Sequence, residues 1–284
     1  SDMIDAHAHV HDSAFDGDRD LVVERARSAG VESLITIGTD LSESRRSVAC
    51  AERYPAVWAS VGVHPHIFNE IENEEAAVVA VGELRDICRS SERVVAIGEC
   101  GLDYFSHDTG GIVTEKQKGV QRAGFLAQVE LARELSLPII VHTRPSSGSM
   151  DAYEDMYALL QSSFIGNQDR LSVILHCYMG DAEVTERFLG LSFITFSFAG
   201  NITYKARVGS DIQAVLGMIP LDRMIAETDC PYLAPMPHRG KRNEPAFVIL
   251  VARHIAEMKK VPYTSLEEQL RGNIRELFPK IRNS

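Results

Sequence analysis

The sequence predicts an α/β fold, a single (β/α)8 barrel of the TIM type, on three observations. Strand-like apolar runs alternate with amphipathic, helix-like stretches along almost all of the 284 residues, and they resolve into eight βα units. The second, fourth, fifth and sixth runs are nearly continuous in Val, Ile and Leu, as strands buried on both faces beneath helices must be. The length also suits one large barrel able to bury its core without disulfides. An open doubly wound sheet is the alternative, but no Gly-x-Gly-x-x-Gly follows the first strand.

In chain order the expected strands are Met3–Val10, Glu32–Gly38, Val57–Val63, Arg93–Gly98, Pro138–His142, Ser172–His176, Phe193–Phe198 and Arg223–Thr228. Between them the expected helices are Arg19–Ala29, Ser42–Tyr54, Glu74–Ser90, Glu115–Leu135, Asp151–Gln161, Asp181–Leu189, Asp211–Gly217 and Pro245–Lys259. Several open on Asp, Ser or Glu, as helix starts should. The tail from Ser265 to Phe278 reads as one or two extra helices closing the barrel's bottom or side. Tyr104–Thr114 and Thr143–Ser149 follow barrel strands at their carboxyl ends, where substrate-contacting loops belong. No repeat, linker or low-complexity block interrupts the chain, so one domain over 3–280 is expected, with Ser1-Asp2 a leftover of cloning.

Composition narrows the function classes. A net charge of −11 opposes broad, non-specific nucleic-acid binding but permits a nucleic-acid substrate at one local site, above all beside bound cations. No run of about 18 apolar residues exists to span a membrane, and no secretory signal is visible. Cys50, Cys88, Cys100, Cys177 and Cys230 are scattered without a Cys-x-x-Cys pair. That pattern points to a reducing, cytoplasmic setting. No obligate protein partner is inferred.

The chemistry lies at the strand ends. His7 and His9 share one face of the first strand, because alternate side chains do. The third run ends in Gly62-Val63-His64-Pro65-His66, the fourth in Glu99 and Asp103, the fifth in His142, the sixth in His176 and the eighth in Asp229. Six strands ending on His or carboxylate at one rim make a ring of ligands, not a packed core. Four histidines (His7, His9, His142, His176) and two carboxylates (Glu99, Asp229) suit Zn2+, Mn2+, Fe2+, Ni2+ or Co2+ better than Ca2+ or Mg2+, though Mg2+ stays among the candidates. Six ligands are too many for one catalytic ion. Two divalent metal ions fit, roughly 3.5–4 Å apart. His7, His9 and Asp229 would hold one, His142 and His176 the other, with Glu99 as the bridge. His64 is open between a ligand, a ligand-orienting group and a substrate contact. Strand alternation should turn Cys100, Cys177 and Cys230 away from the metals.

Taken together, Asp5-Ala6-His7-Ala8-His9, Gly62-Val63-His64-Pro65, Ile97-Gly98-Glu99-Cys100-Gly101-Leu102-Asp103, His142-Thr143-Arg144, His176-Cys177, Glu227-Thr228-Asp229-Cys230-Pro231-Tyr232-Leu233 and Arg239-Gly240-Lys241-Arg242-Asn243-Glu244-Pro245 resemble the TatD-type metal-dependent deoxyribonucleases. The likeness runs in order from Asp5 to about Phe278. It implies an amidohydrolase-superfamily barrel, a divalent-metal centre and hydrolysis of ester bonds, usually phosphodiesters of DNA, with the six ligands as read above. Two departures touch substrate preference: Tyr178-Met179 where the family commonly has Phe-Ser, and a longer segment between Arg144 and Leu171.

The expected reaction is two-metal phosphodiester hydrolysis by a DNase or exonuclease. Asp229 and Glu99 are the catalytic residues, Asp229 taking a proton from the attacking water. Arg239 is open between a phosphate contact and a tether of the Asn243 turn, Lys205 is a second phosphate candidate, and Tyr104 is open between stacking on a base and a buried hydroxyl near the fourth strand. DNA, or another phosphodiester or ester substrate, is the expected partner. The alternatives are another ester or amide hydrolase, such as an aminoacyl-tRNA deacylase, and a non-catalytic nucleic-acid-binding barrel.

Overall fold

A computed structural model describes residues 2–164, 171–205 and 211–281. Ser1 and part of the long Arg144–Leu171 segment lie outside the described residues. Eight strands, β1 (Met3–Ala8), β2 (Val31–Ile37), β3 (Val57–Val61), β4 (Val94–Asp103), β5 (Ile139–Arg144), β6 (Val173–Leu175), β7 (Ile194–Phe198) and β8 (Met224–Ala226), pair in parallel in sequence order. The seam between β8 and β1 is closed just beyond the strand ends. Asp229 N–H donates to the His7 carbonyl (2.8 Å) and His9 N–H to the Cys230 carbonyl (2.9 Å).

The helices are α1 (Arg19–Ala29), α2 (Leu41–Arg53), α3 (Glu74–Val81), α4 (Leu84–Arg89), α5 (Glu115–Leu135), α6 (Asp151–Phe164), α7 (Ala182–Leu189), α8 (Ile212–Met218), α9 (Val248–Lys259) and α10 (Tyr263–Leu277). Their starts follow from short polar side chains. Asp40, Asn73 and Asp181 each accept a backbone N–H three residues on, and Thr114 with Gln117 forms a reciprocal capping box on α5. The expected helix over 74–90 is instead two, because the chain breaks at Gly82 before restarting to bury Leu84, Ile87 and Cys88.

Apolar side chains collect in two places. The larger cluster fills the layer between the barrel and its helices. The smaller plugs the barrel from below: Ile35, Trp58, Val95, Ile140, Ile174 and Ile225 point inward and meet Ile274 and Phe278 from the end of α10. Burying each of those aliphatic or aromatic chains contributes about 1.5–3 kcal/mol. The C-terminal extension is thus one helix across the bottom, held also by Asn273 Nδ2 donating to the Leu221 and Met224 carbonyls (2.8 and 2.7 Å). The mouth at the other end is left to polar groups.

Strand β4 runs five residues beyond its expected end, and the extension carries site residues. It stays paired with β5 from Cys100 to Asp103 after a register shift. Gly98 and Gly101 make this passage with φ of +142° and +144°. A Cβ on Gly101 would run into the His142 carbonyl oxygen. Gly101→Ala should therefore destabilise the fold by about 3 kcal/mol, read as a lowered midpoint in urea unfolding.

Candidate metal centre and active site

The six residues expected as ligands come together at the mouth. His7 stands on β1, and His9 one residue beyond that strand's end. Their rings are 5.1 Å apart and edge to face. His176 follows β6 and stacks on His7 with ring centroids at 3.6 Å. Asp229 lies three residues past β8 in a left-handed conformation (φ +58°), which turns its carboxylate into the mouth. Glu99 sits at the centre of the group. Its Oε2 is 3.3 Å from His7 Nε2 and 3.7 Å from His9 Nε2. Its Oε1 is 3.1 Å from His142 Nδ1 and 3.6 Å from His176 Nε2. Asp229 Oδ1 adds to the first set, 3.2 Å from His9 Nε2 and 3.5 Å from His7 Nε2. The two carboxylate oxygens of Glu99 thus face two different groups of donors.

Hydrogen bonds from behind select which ring nitrogens face inward. His9 Nδ1 donates to the Ile37 carbonyl (2.8 Å), leaving Nε2 as the free lone pair. His176 Nδ1 lies 2.7 Å from Glu227 Oε1, so its Nε2 is the one presented. Glu227 is itself fixed, accepting from the Cys177 N–H (2.7 Å) and the Ser197 hydroxyl (2.6 Å). His142 Nε2 lies 2.9 Å from Asp103 Oδ2, and His66 Nε2 reaches the same oxygen at 3.2 Å. His64 is drawn in as well: its Nε2 is 3.8 Å from Glu99 Oε1, and its ring lies 4.6 Å from that of His142.

Two features show that this donor set fits divalent cations. His7 is fully buried, yet neither of its ring nitrogens makes a hydrogen bond. Leaving buried polar atoms unpaired costs about 1–3 kcal/mol each, so an absent partner is indicated. The neutral nitrogens and carboxylate oxygens also form overlapping sets, one of His7, His9 and Glu99 and another of Glu99, His142 and His176, each compact enough for one ion.

Without cations the site holds protons instead. Burial resists charge on His176, but Glu227, Glu99 and Asp229 outweigh it and push the imidazole up to about 10. Burial likewise resists charge on His142, where hydrogen bonds to Asp103 and Glu99 prevail and raise it to about 9. Glu99 is held well below the carboxylate range: burial opposes its charge, yet His176, His142 and His7 overcome that. Below about pH 9 both histidines are protonated in the metal-free protein and must deprotonate to act as ligands. Calorimetric titration with Mn2+ at pH 7 in buffers of different ionisation enthalpy should show net proton release, and apparent affinity should rise with pH. Affinity independent of pH between 6 and 8 would contradict this.

The substrate-contact expectations divide. His64 lines the cavity at the mouth, of about 570 Å3, beside these six residues. Tyr104 does not line it. Alternation along β4 from Glu99 turns even positions outward, so Tyr104 is fully buried behind the strand. Its hydroxyl donates to Asp155 Oδ2 (2.6 Å) and accepts from Arg122 (3.2 Å), which corrects the base-stacking expectation. Arg239 and Lys205 are exposed and do not line the cavity either; Arg239 lies 4.2 Å over the Tyr204 ring. Cys100 and Cys230 are buried away from the mouth, but Cys177 lines the cavity, because it falls past the end of β6 with φ +46° and escapes strand alternation. Sequence reasoning assigns no role to Arg144, Tyr232 or Asp103, which the structure places at the site. Arg144 lines the cavity with its guanidinium 4.0 Å over Phe105. Tyr232, 58 % exposed, stands edge-on to His9 at 6.3 Å. The spacing Glu99-x-Gly101-x-Asp103 was the available signal for Asp103, since period two puts both carboxylates on one face.

Comparison with known proteins agrees with this geometry. A metal-dependent hydrolase of Bacillus subtilis, YabD, is 35 % identical over 276 residues, covering 97 % of this chain and 98 % of its own. The 3'-5' ssDNA/RNA exonuclease TatD of Cronobacter sakazakii is 34 % identical over 284 residues, covering 98 % of each. Among solved structures, the TatD homologue YJJV of Escherichia coli superposes with a TM-score of 0.83 at 27 % identity over 98 % of both chains. An amidohydrolase of Saccharomyces cerevisiae shares the fold, with a TM-score of 0.78 at 19 % identity. The model of the TatD-related DNases matches residues 4–279. With match and relatives alike spanning the barrel from end to end, the chain belongs to the TatD-related DNase family.

Proposed function

We propose that this protein, as one domain over 3–280, is a divalent-metal-dependent nuclease that removes nucleotides from the 3′ end of single-stranded DNA or RNA. The observation that carries the reading is Glu99, whose two oxygens face two separate groups of nitrogen and oxygen donors. His7, His9 and Asp229 would hold one cation, His142 and His176 the other, with Glu99 between them. The polarity and substrate class are supported by the relative of Cronobacter sakazakii, which is a 3'-5' ssDNA/RNA exonuclease. Five free cysteines, four of them buried, support a cytoplasmic setting, and no described helix is long and apolar enough to cross a membrane.

Held by His7, His9, Asp229, Glu99, His142 and His176, two cations would make water acidic enough to attack near neutral pH and would offset charge on the phosphoryl oxygens. The chain does the rest. Asp229 directs Oδ1 at His9 and His7, leaving Oδ2 to take the proton of the attacking water. Attack on phosphorus breaks its bond to the 3′-oxygen of the preceding nucleotide, which takes up a proton from water to become the new 3′-hydroxyl. Glu227 and Asp103 keep the His176 and His142 rings in register throughout. Arg144 is the cation lining the cavity among the described residues, placed to hold a flanking phosphate. Tyr232 offers an exposed face on which a base can stack.

Purified protein given Mn2+ or Mg2+ should shorten 5′-labelled single strands progressively and stop when EDTA is added. Full activity in metal-free protein, or no cleavage with any divalent ion, would end the proposal.

A further inference from the structure

The cavity walls differ in charge. Strands four places apart in an eight-strand barrel stand opposite one another, so the loops after β1 and β2 face those after β5 and β6. Arg144 stands on the β5 side. On the β1–β2 side the cavity meets Asp12 and Glu43, and no Lys or Arg among the described residues lines it there. Glu43 is held in place. Its N–H donates to the Asp40 carboxylate at the start of α2 (2.7 Å), and its Oε1 accepts from Arg46 (2.8 Å). Its Oε2 is 3.1 Å from His11 Nε2, and His11 Nδ1 pairs with the Thr36 hydroxyl (2.7 Å). The Glu43 side chain remains a quarter exposed.

A fixed carboxylate accepts hydrogen bonds from hydroxyls and repels phosphates. Every internal nucleotide of a strand has phosphate on both sides of its sugar. Only a terminal nucleoside has phosphate on one side and a hydroxyl on the other, and on the nuclease reading above the terminus digested is the 3′ one. Its chemistry matches a site with the metal centre on one side and an acidic wall on the other. Tyr232 lines the same cavity, edge-on to His9 at 6.3 Å, where its exposed ring can receive the terminal base.

We propose that Glu43 and Asp12, with His11 orienting Glu43, form the subsite for the 3′-terminal nucleoside, accepting its free 3′-hydroxyl and rejecting a 3′-phosphate. The subsite rests on the nuclease reading above and adds to it the chemical state of the end that is digested.

Two single strands of one sequence, one ending in a 3′-hydroxyl and one in a 3′-phosphate, test it in the presence of Mn2+. The wild-type protein should digest the hydroxyl-ended strand at least about 30-fold faster in kcat/KM, since a like-charge contact costs several kcal/mol. Glu43→Gln should narrow that ratio by about tenfold or more, and Asp12→Asn should narrow it by less. Each preparation acts on both strands, so a partly folded variant lowers both rates and leaves the ratio interpretable. Equal wild-type rates, or a ratio unmoved in both variants, would overturn the subsite while leaving the nuclease reading intact. No cleavage of either strand by wild type would overturn the nuclease reading, and the subsite with it.

Discussion

Replacing Glu99 with Gln should release both cations and lower hydrolysis by at least ~10^3-fold, about 4 kcal/mol of transition-state stabilisation. The size follows from its position. One oxygen of Glu99 faces His7 and His9, the other His142 and His176, so one substitution touches both donor groups. The amide keeps the shape but loses the charge and one acceptor. It also leaves the four histidines without the carboxylate between them, so the metal-free variant should shed protons more readily than the parent. Mass-spectrometric metal analysis and a strand-shortening assay read the two losses separately. A variant that keeps two ions per chain would show that Glu99 is not the bridge.

Asp229→Asn should act differently. Asp229 lies against His7 and His9, the group proposed to hold one ion with Glu99, so the variant should keep at least one cation while kcat falls by about 10^2–10^4-fold, the range expected when a positioned general base is removed. The fold should survive. Asp229 already pairs through its backbone with His7, and the neighbouring Thr228 hydroxyl is tied to Asp5 (2.5 Å), bonds that the substitution leaves alone. A fall in kcat with KM nearly unchanged is the expected signature. A variant with parental kcat would place the proton acceptor elsewhere.

The barrel was legible because its signals are local. Continuous Val/Ile runs, their spacing and short polar caps are each read within about ten residues, and α1 and α5 fall at their expected bounds. His7-x-His9 was legible for the same reason. What the sequence hid depends on partners far away in the chain. Glu227 orients His176 across 51 positions, and nothing near either residue announces it. Asp103 lies beyond the expected end of β4 at Gly98, and pairing with β5 is what carries the strand on through Gly98 and Gly101. Tyr104 takes the buried-hydroxyl reading rather than the base-stacking one for a related reason. Taken as a loop residue it could have faced the mouth, but on a strand extended to Asp103 its parity sends it outward. Arg144 sits in the His142-Thr143-Arg144 motif, but nothing in the sequence says which cations line a cavity.

The central claim is that this barrel binds two divalent cations and hydrolyses nucleic acid through them. It is tested most directly by counting the metal in active protein, then removing it and restoring it. The account predicts two equivalents of divalent metal per chain, loss of single-strand digestion on chelation, and recovery as the second equivalent returns. Digestion that persists in protein shown to be metal-free, or that is complete with one equivalent, would contradict it.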